Sequence, residues 1–444
     1  MTEPKRDYTQ HTVVYSLFPI FLAGLMLIAG TLLRPGIYIG DSINSRLATV
    51  YALAHYGSWN LESPDPDHPN PFEARTVDKV VVQGRLISSK PPLLPLLMTL
   101  IYLPFRMVGW TLDDPDTLKP FSIAVIFLLC QLPFAAGIWA FMRLTSWMSP
   151  IPWIILGGML VFASPLFGYA QQFSNHVPAA AALCGALWCL WRLLDPDCPP
   201  SSGVKDALGF GFFSALVFAL DIPAIIYCAT AGLLLIPTGK IRLLPWILVG
   251  FMPIFLTQEI CYWIISGSLL PVQTRPELYQ YEWSYWRHPL GIDALNESRL
   301  IYLFHALIGR SSVFFLFPVF FIGFIFPVLH LIKIIKKDHK KIKGDTFISF
   351  LLLLWGAFCV LTLYYTVKTN NYGGAAYGFR WHLASYPVLA LCCAHPISRI
   401  KTWYGWLILL LLTGISCWSA WECLQEPWGN SPNWAMRWIF GPPA

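Results

Sequence analysis

The apolar positions of this chain fall in long runs, and its polar positions gather between them. A helix that crosses a bilayer needs about 20 apolar residues. Candidate spans lie at 13–33, 119–142, 151–170, 177–194, 208–220, 223–237, 243–266, 312–332, 346–366, 383–397 and 403–421. The pair 208–220 and 223–237 is short for two crossings and reads equally as one long tilted helix. Segment 91–109 carries Pro91, Pro92, Pro95, Pro104 and Arg106, which suits an interfacial or re-entrant helix better than a span. The expected fold is all-α: a single domain over 1–444, a polytopic transmembrane bundle of about eleven spans with interfacial helices on its outer face.

Orientation follows the Lys/Arg loops. The tract from Lys333 to Lys343 is strongly basic and is expected in the cytoplasm. Arg143, Lys205, Lys240, Arg242, Arg399 and Lys401 then fall on the same side. The apolar run Thr12–Leu33 is too long for a signal-peptide core and lacks a small-residue cleavage site, so it is expected to stay as the first span, behind a cytoplasmic 1–12. Three long stretches then lie outside: the first outer loop 34–118, a second at 267–311, and 367–382. Shorter ones fall at 171–176, around Asp221 and after 421. A bacterial inner membrane with the site facing outward is the expected setting.

Composition excludes a soluble fold. Of 444 residues 56% are hydrophobic and 12% charged, with mean hydropathy +0.55, against about 25% charged in soluble domains. Too few polar groups remain to cover a water-facing surface, so a lipid bilayer must cover it. The 20 Trp and 19 Tyr residues fit interfacial aromatic belts. The net charge of +6 reads as positive-inside bias, and no basic-aromatic groove of the nucleic-acid kind is present. Most cysteines sit inside apolar runs and no CxxC pair occurs, so neither a thiolate metal site nor a disulfide frame is suggested.

Three constellations could carry chemistry. In Gly40-Asp41-Ser42-Ile43-Asn44-Ser45-Arg46, Asp41 lies just beyond the first span and opens a helical stretch, Ser42–Tyr56. A carboxylate at that depth is costly unless paired or used. It reads either as a helix cap paired with Arg46 or as a catalytic base. In Gly84-Arg85-Leu86-Ile87-Ser88-Ser89-Lys90-Pro91-Pro92-Leu93, Lys90 precedes a proline-started apolar helix. It suits an anionic phosphate as a point charge, or a snorkelling position at the interface. In Asn370–His382, three glycines stand among aromatic and amide residues, with Tyr372 inside the loop and Arg380 heading the next span. The backbone there can approach a ligand closely, and Arg380 could clamp a phosphate or serve a plain turn.

Weaker candidates are Asn175 and His176 in the short loop Gln171–His176, and Asp221, an acid in a very apolar stretch. The aromatic, acidic and basic loop Arg275–His288 suits sugar stacking as well as interface anchoring. Asn296-Glu297-Ser298 matches a glycosylation sequon, a common pattern.

Together these residues resemble the GT-C superfamily of membrane glycosyltransferases. The nearest in pattern are lipid A aminoarabinose transferases and protein O-mannosyltransferases (glycosyltransferase family 39). The features are Asp41 after the first span, the helix Asn44–Tyr56 in a long outer loop, and the tract Gly84-Arg85-Leu86 ending in Ser89-Lys90-Pro91-Pro92-Leu93. The resemblance implies that Asp41 is the base or acceptor-orienting carboxylate and that Lys90 contacts the phosphate of a lipid-linked donor. Many relatives carry a second acid in the next outer loop, where this chain has Ser174-Asn175-His176; that leaves a divalent metal requirement and the acceptor class open.

The expected activity is transfer of a hexosyl or pentosyl group from a polyprenyl-phosphate-linked donor to a lipid, glycan or protein acceptor. Arg380 joins Lys90 on the donor phosphate, with Arg46, Asn175, His176, Asp221 and Tyr372 orienting substrate. The main rival is a transporter or flippase for a lipid-linked or anionic solute, which Asp221 and the interrupted segment 208–237 would suit. A non-catalytic subunit that keeps the scaffold is a third reading.

Overall fold

The computed structural model describes residues 12–33, 37, 39–195, 203–336, 346–429 and 431–441. The extreme N-terminus and most of the basic stretch 333–343, on which the orientation rests, lie outside the described residues.

The architecture is helical, as the apolar runs imply. Helix α1 is Thr12–Leu32, α2 is Asp41–Tyr56, and α3 is Leu93–Met107. Then come α4 (Pro115–Leu144), α5 (Pro150–Phe162), α6 (His176–Leu194), α7 (Gly203–Leu220), α8 (Ile225–Gly232) and α9 (Leu244–Ser266). The last five are α10 (Arg299–Leu307), α11 (Phe321–Lys336), α12 (Thr346–Lys368), α13 (Ser385–Ser398) and α14 (Trp403–Gln425).

Among the described residues, seven helices are long and apolar enough to cross a bilayer, not eleven. The expected spans 151–170, 223–237, 312–332 and 383–397 fold as shorter helices. Proline explains two of these. Pro165 disfavours helical backbone at Ser164, so α5 stops at Phe162. Pro223 acts in the same way on 208–237, which is two helices separated at Asp221–Ala224. Segment 91–109 folds as the 15-residue α3, too short to cross upright. Proline also marks α4, where a π-turn over Phe127–Gln131 precedes Pro133 and absorbs its missing N–H.

Helix α6 is buried along nearly its whole length and forms the centre of the bundle. Crossings around it are close because small residues face each other. A Cβ on Gly211 of α7 would come within 1.9 Å of the Ile247 carbonyl of α9, and one on Gly250 within 2.1 Å of the Leu208 carbonyl. Backbones meet directly there, the small-residue packing that membrane helices use.

One departure from an all-helical chain was not expected. Lys79–Val82 (β1) and Arg85–Ser88 (β2) form an antiparallel hairpin, with Lys79 opposite Ser88 and Val82 opposite Arg85. Its turn is Gln83-Gly84, with φ +52° and +76°, the pair of positive angles that a tight hairpin turn requires. Val80, Val82 and Ile87 pack with Cys261, Tyr262 and Ile265 at the end of α9, and the Arg85 guanidinium donates to the Ile265 carbonyl at 2.9 Å. The hairpin is thereby anchored to the bundle.

Candidate functional site

The hairpin assembles the first half of the site. Ser89 donates its N–H to the Asp78 carbonyl at 3.0 Å, so Lys90 leaves β2 beside Asp78, the residue just before β1. Lys90 Nζ then lies 2.7 Å from Asp78 Oδ2. Ser42, in the first turn of α2, donates to the same carboxylate oxygen at 3.0 Å. Asp41 precedes it: its Oδ1 accepts the Val77 N–H at 2.9 Å, and its carbonyl accepts from the Thr76 hydroxyl at 2.7 Å. Asp41 therefore does not cap its own helix, and Arg46 is not its partner. The Arg46 guanidinium turns inward, donating to the Ser42 carbonyl at 2.9 Å and to Asn175 Oδ1 at 2.7 Å.

The second half comes from the loops before α10 and α13. Asp293 accepts from Asn371 Nδ2 at 3.1 Å and from the Tyr285 hydroxyl at 3.3 Å. Gly373 has φ +98°, and a Cβ there would sit 3.1 Å from Arg380 Cβ; only glycine lets the loop fold back this tightly over the arginine. Arg380 lies with its guanidinium carbon 5.1 Å from the centre of the Trp428 ring. Its buried Nε has no hydrogen-bond partner among the described residues.

Both halves open on one cavity of about 240 Å³ at one end of the bundle. Asp41, Asp78, Lys90, Asp293, Asn371 and Arg380 line it, with Trp286, Trp381 and Trp428 forming aromatic walls. Burial raises the Asp78 carboxyl, but the adjacent Lys90 ammonium and the hydrogen bonds from Lys90 and Ser42 outweigh it and hold the group below its ordinary value. Burial lowers Lys90 and Arg380, with the opposed charge of Asp78 resisting in each case. Burial raises the carboxyl of Asp293, helped by the negative charges of Asp78 and Asp41. Arg46 is pushed down to about 10 by burial and by the repulsion of Arg380.

The structure thus brings Asp41, Lys90 and Arg380 to one cavity. It sets the other sequence candidates around it. Arg46 and Asn175 stand behind the cavity in a chain that continues from Asn175 Nδ2 to the Leu220 carbonyl at 2.7 Å. His176 shares a 2.8 Å hydrogen bond with Asp221 at the break between α7 and α8. Tyr372 points away from the cavity: its hydroxyl donates to Glu297, and its ring stacks on Tyr302 at 4.7 Å. Glu297 also pairs with Arg310, so Tyr372 braces the glycine loop from behind.

Asp78, Asp293 and Asn371 were not singled out from sequence. The Gln83-Gly84 turn held the available signal for Asp78, because reflection about that turn puts Asp78 opposite Ser89, next to Lys90. The three cavity carboxylates do not make a cation site: Asp78 is spent on Lys90, Asp293 is held by neutral donors on another loop, and no cluster of three His, Cys, Asp or Glu among the described residues is placed to hold a metal.

An almost wholly apolar groove of about 270 Å³ lies along the bundle's flank. It is lined by Leu94 and Leu97 of α3, Gly137 of α4, Ala181 and Trp188 of α6, and Leu216 of α7. Leu94 is four residues beyond Lys90, so the chain that leaves the charged cavity enters the wall of the groove within about one turn.

No protein-family model matches the sequence, and no curated protein matches it. Solved structures do. The oligosaccharyltransferase of Archaeoglobus fulgidus in its apo form matches with TM-score 0.53 at 13% identity, over 96% of this chain and 57% of that one. The same archaeon's AglB in complex with an inhibitory peptide and a dolichol-phosphate gives 0.52 at 11% identity, over 95% and 57%. ArnT from Cupriavidus metallidurans bound to undecaprenyl phosphate gives 0.49 at 11% identity, over 89% and 62%. The chain spans rather more than half the length of these solved chains. With AglB and the apo oligosaccharyltransferase this chain shares the overall fold.

Proposed function

We propose that this protein is a membrane glycosyltransferase that takes its sugar from a polyprenyl-phosphate carrier and delivers it at the outer face of the membrane. The observation that carries the reading is the meeting of Asp41, Lys90 and Arg380 in one cavity, with an apolar groove lined from Leu94, four residues beyond Lys90. Arg380 is a desolvated cation with no carboxylate in ion-pair contact among the described residues. Such a group is incomplete without an anion, and a guanidinium suits two phosphate oxygens at once. The AglB structure with dolichol-phosphate supplies a precedent for the ligand class on this fold.

The donor phosphate sits between Lys90 and Arg380, and its isoprenoid tail runs along the α3 groove. The sugar lies in the cavity against Trp286, Trp381 and Trp428. An acceptor hydroxyl attacks the anomeric carbon with inversion. The carbon–oxygen bond to phosphate breaks, and its electron pair leaves with the polyprenyl phosphate. Lys90 and Arg380 stabilise that growing charge in a site with little water, where fixed cations act strongly. Asp41, held by the Val77 N–H, orients the acceptor or takes its proton.

The test is transfer of labelled sugar from undecaprenyl-phosphate hexoses and pentoses in membranes carrying the protein. Asp41→Asn should abolish transfer while the folded chain persists. Unchanged transfer, or labelled solute crossing sealed vesicles without any transfer, would point to the transporter reading instead.

A further inference from the structure

Three carboxylates line the cavity, and they are not equivalent. Asp78 is held ionised in an ion pair: Lys90 Nζ stands 2.7 Å from its Oδ2, and the Ser42 hydroxyl donates to the same atom at 3.0 Å. A proton arriving there would break an ion pair buried with it. Asp41 is tied at Oδ1 to the Val77 N–H at 2.9 Å. Asp293 makes no ion pair among the described residues; its oxygens accept only from the neutral Asn371 amide at 3.1 Å and the Tyr285 hydroxyl at 3.3 Å. These donors fix the carboxylate's direction without cancelling its charge. Resting on the glycosyltransferase reading, we infer that Asp293 is the general base and that Asp41 orients the acceptor.

In the step, the acceptor oxygen forms a bond to the anomeric carbon as its proton passes to an Asp293 oxygen. The bond between the anomeric carbon and the bridging phosphate oxygen breaks at the same time, its electron pair leaving with that oxygen, and the negative charge moves from Asp293 to the departing phosphate, beside Lys90 and Arg380. One carboxylate is neutralised as one phosphate gains charge, so the cavity's total charge is unchanged. Burial among the negative Asp41 and Asp78 raises Asp293's proton affinity, in the direction a base needs. The groups that set its titration are Asp41 on α2, Asp78 before β1, Lys90 after β2, Arg380 before α13, and Tyr285 on its own loop. The Glu297–Tyr372–Tyr302 brace serves the same residue, because the Tyr302 hydroxyl donates to the Asn371 carbonyl at 2.9 Å and so holds the amide that faces Asp293.

The experiment uses the full chain in nanodiscs, with undecaprenyl phosphate as the binding probe and undecaprenyl-phosphate hexoses and pentoses as donors in membranes. Asp293→Asn should lower kcat by about 100-fold or more while undecaprenyl phosphate binds as in the parent chain. Asp293→Glu should restore part of the rate and move the acid limb of the kcat–pH profile. A rate for Asp293→Asn within about threefold of the parent, or an acid limb unmoved in Asp293→Glu, overturns the assignment. If the parent chain neither binds undecaprenyl phosphate nor transfers any of the sugars, the glycosyltransferase reading itself fails, and this inference with it.

Discussion

Asp78 and Lys90 form the tightest charge contact in the cavity, both largely withdrawn from solvent. Removing one member of such a pair strands the other, which costs about 3 kcal/mol or more. Lys90→Met should therefore lower thermal stability by that order, and Asp78→Asn added to it should recover much of the loss in a detergent melt. The pH dependence has a definite sign. Asp78's folded value lies below its ordinary one, so its contribution is complete above about pH 4 and fades as pH falls through the lower, folded value. Asp78→Asn should flatten the acid side of the Tm–pH curve. At this scale the sequence was informative where charge met apolar surroundings. Asp41, Lys90 and Arg380 stood out because a bare charge at a membrane end is expensive. Asp78 and Asp293 did not stand out because each lies in a polar loop, where an acid is unremarkable, and only the hairpin and the glycine loop bring them inward. For Tyr372 the opposite happened: a loop tyrosine read as facing substrate spends its hydroxyl on Glu297.

Two elements carry the arrangement, the hairpin and the α7–α9 crossing. Gly211 and Gly250 let those helices touch backbone to backbone, and a side chain at either position meets a carbonyl at about 2 Å. Gly211→Leu should destabilise by about 3 kcal/mol, the upper range for overpacking. Because α9 also carries the hairpin's apolar seat, the same substitution should weaken undecaprenyl phosphate binding although Gly211 lies outside the cavity. A melt and a binding isotherm on one preparation check both. The long spans were legible because each is a continuous apolar run with few breaks. The span expected at 151–170 was overextended from sequence, since apolar residues continue past the point where Pro165 stops the helix. The hairpin was missed because Val80, Val81 and Val82 lie within the long outer loop 34–118, where only helices were expected, although Gln83-Gly84 carried the turn signal.

Across the whole molecule, a polar cavity at one end of the bundle and an apolar groove on its flank are joined through the chain at the start of α3, with Lys90 lining the one and Leu94 the other. That junction matches a ligand with an anionic head and a long hydrocarbon tail. The head supplies the specific part of the affinity and the tail the larger, less selective part. Widening the argument from fold to activity rests on this junction, because the similarity to solved transferases extends only to the fold. The most direct measurement compares undecaprenyl phosphate with undecaprenol, which has the same tail and no phosphate, on the full chain in nanodiscs by native mass spectrometry. Preferential retention of the phosphate form, lost in Arg380→Gln and weakened in Lys90→Gln, is the result expected. Equal retention of the two lipids, or a preference untouched by Arg380→Gln, would contradict it.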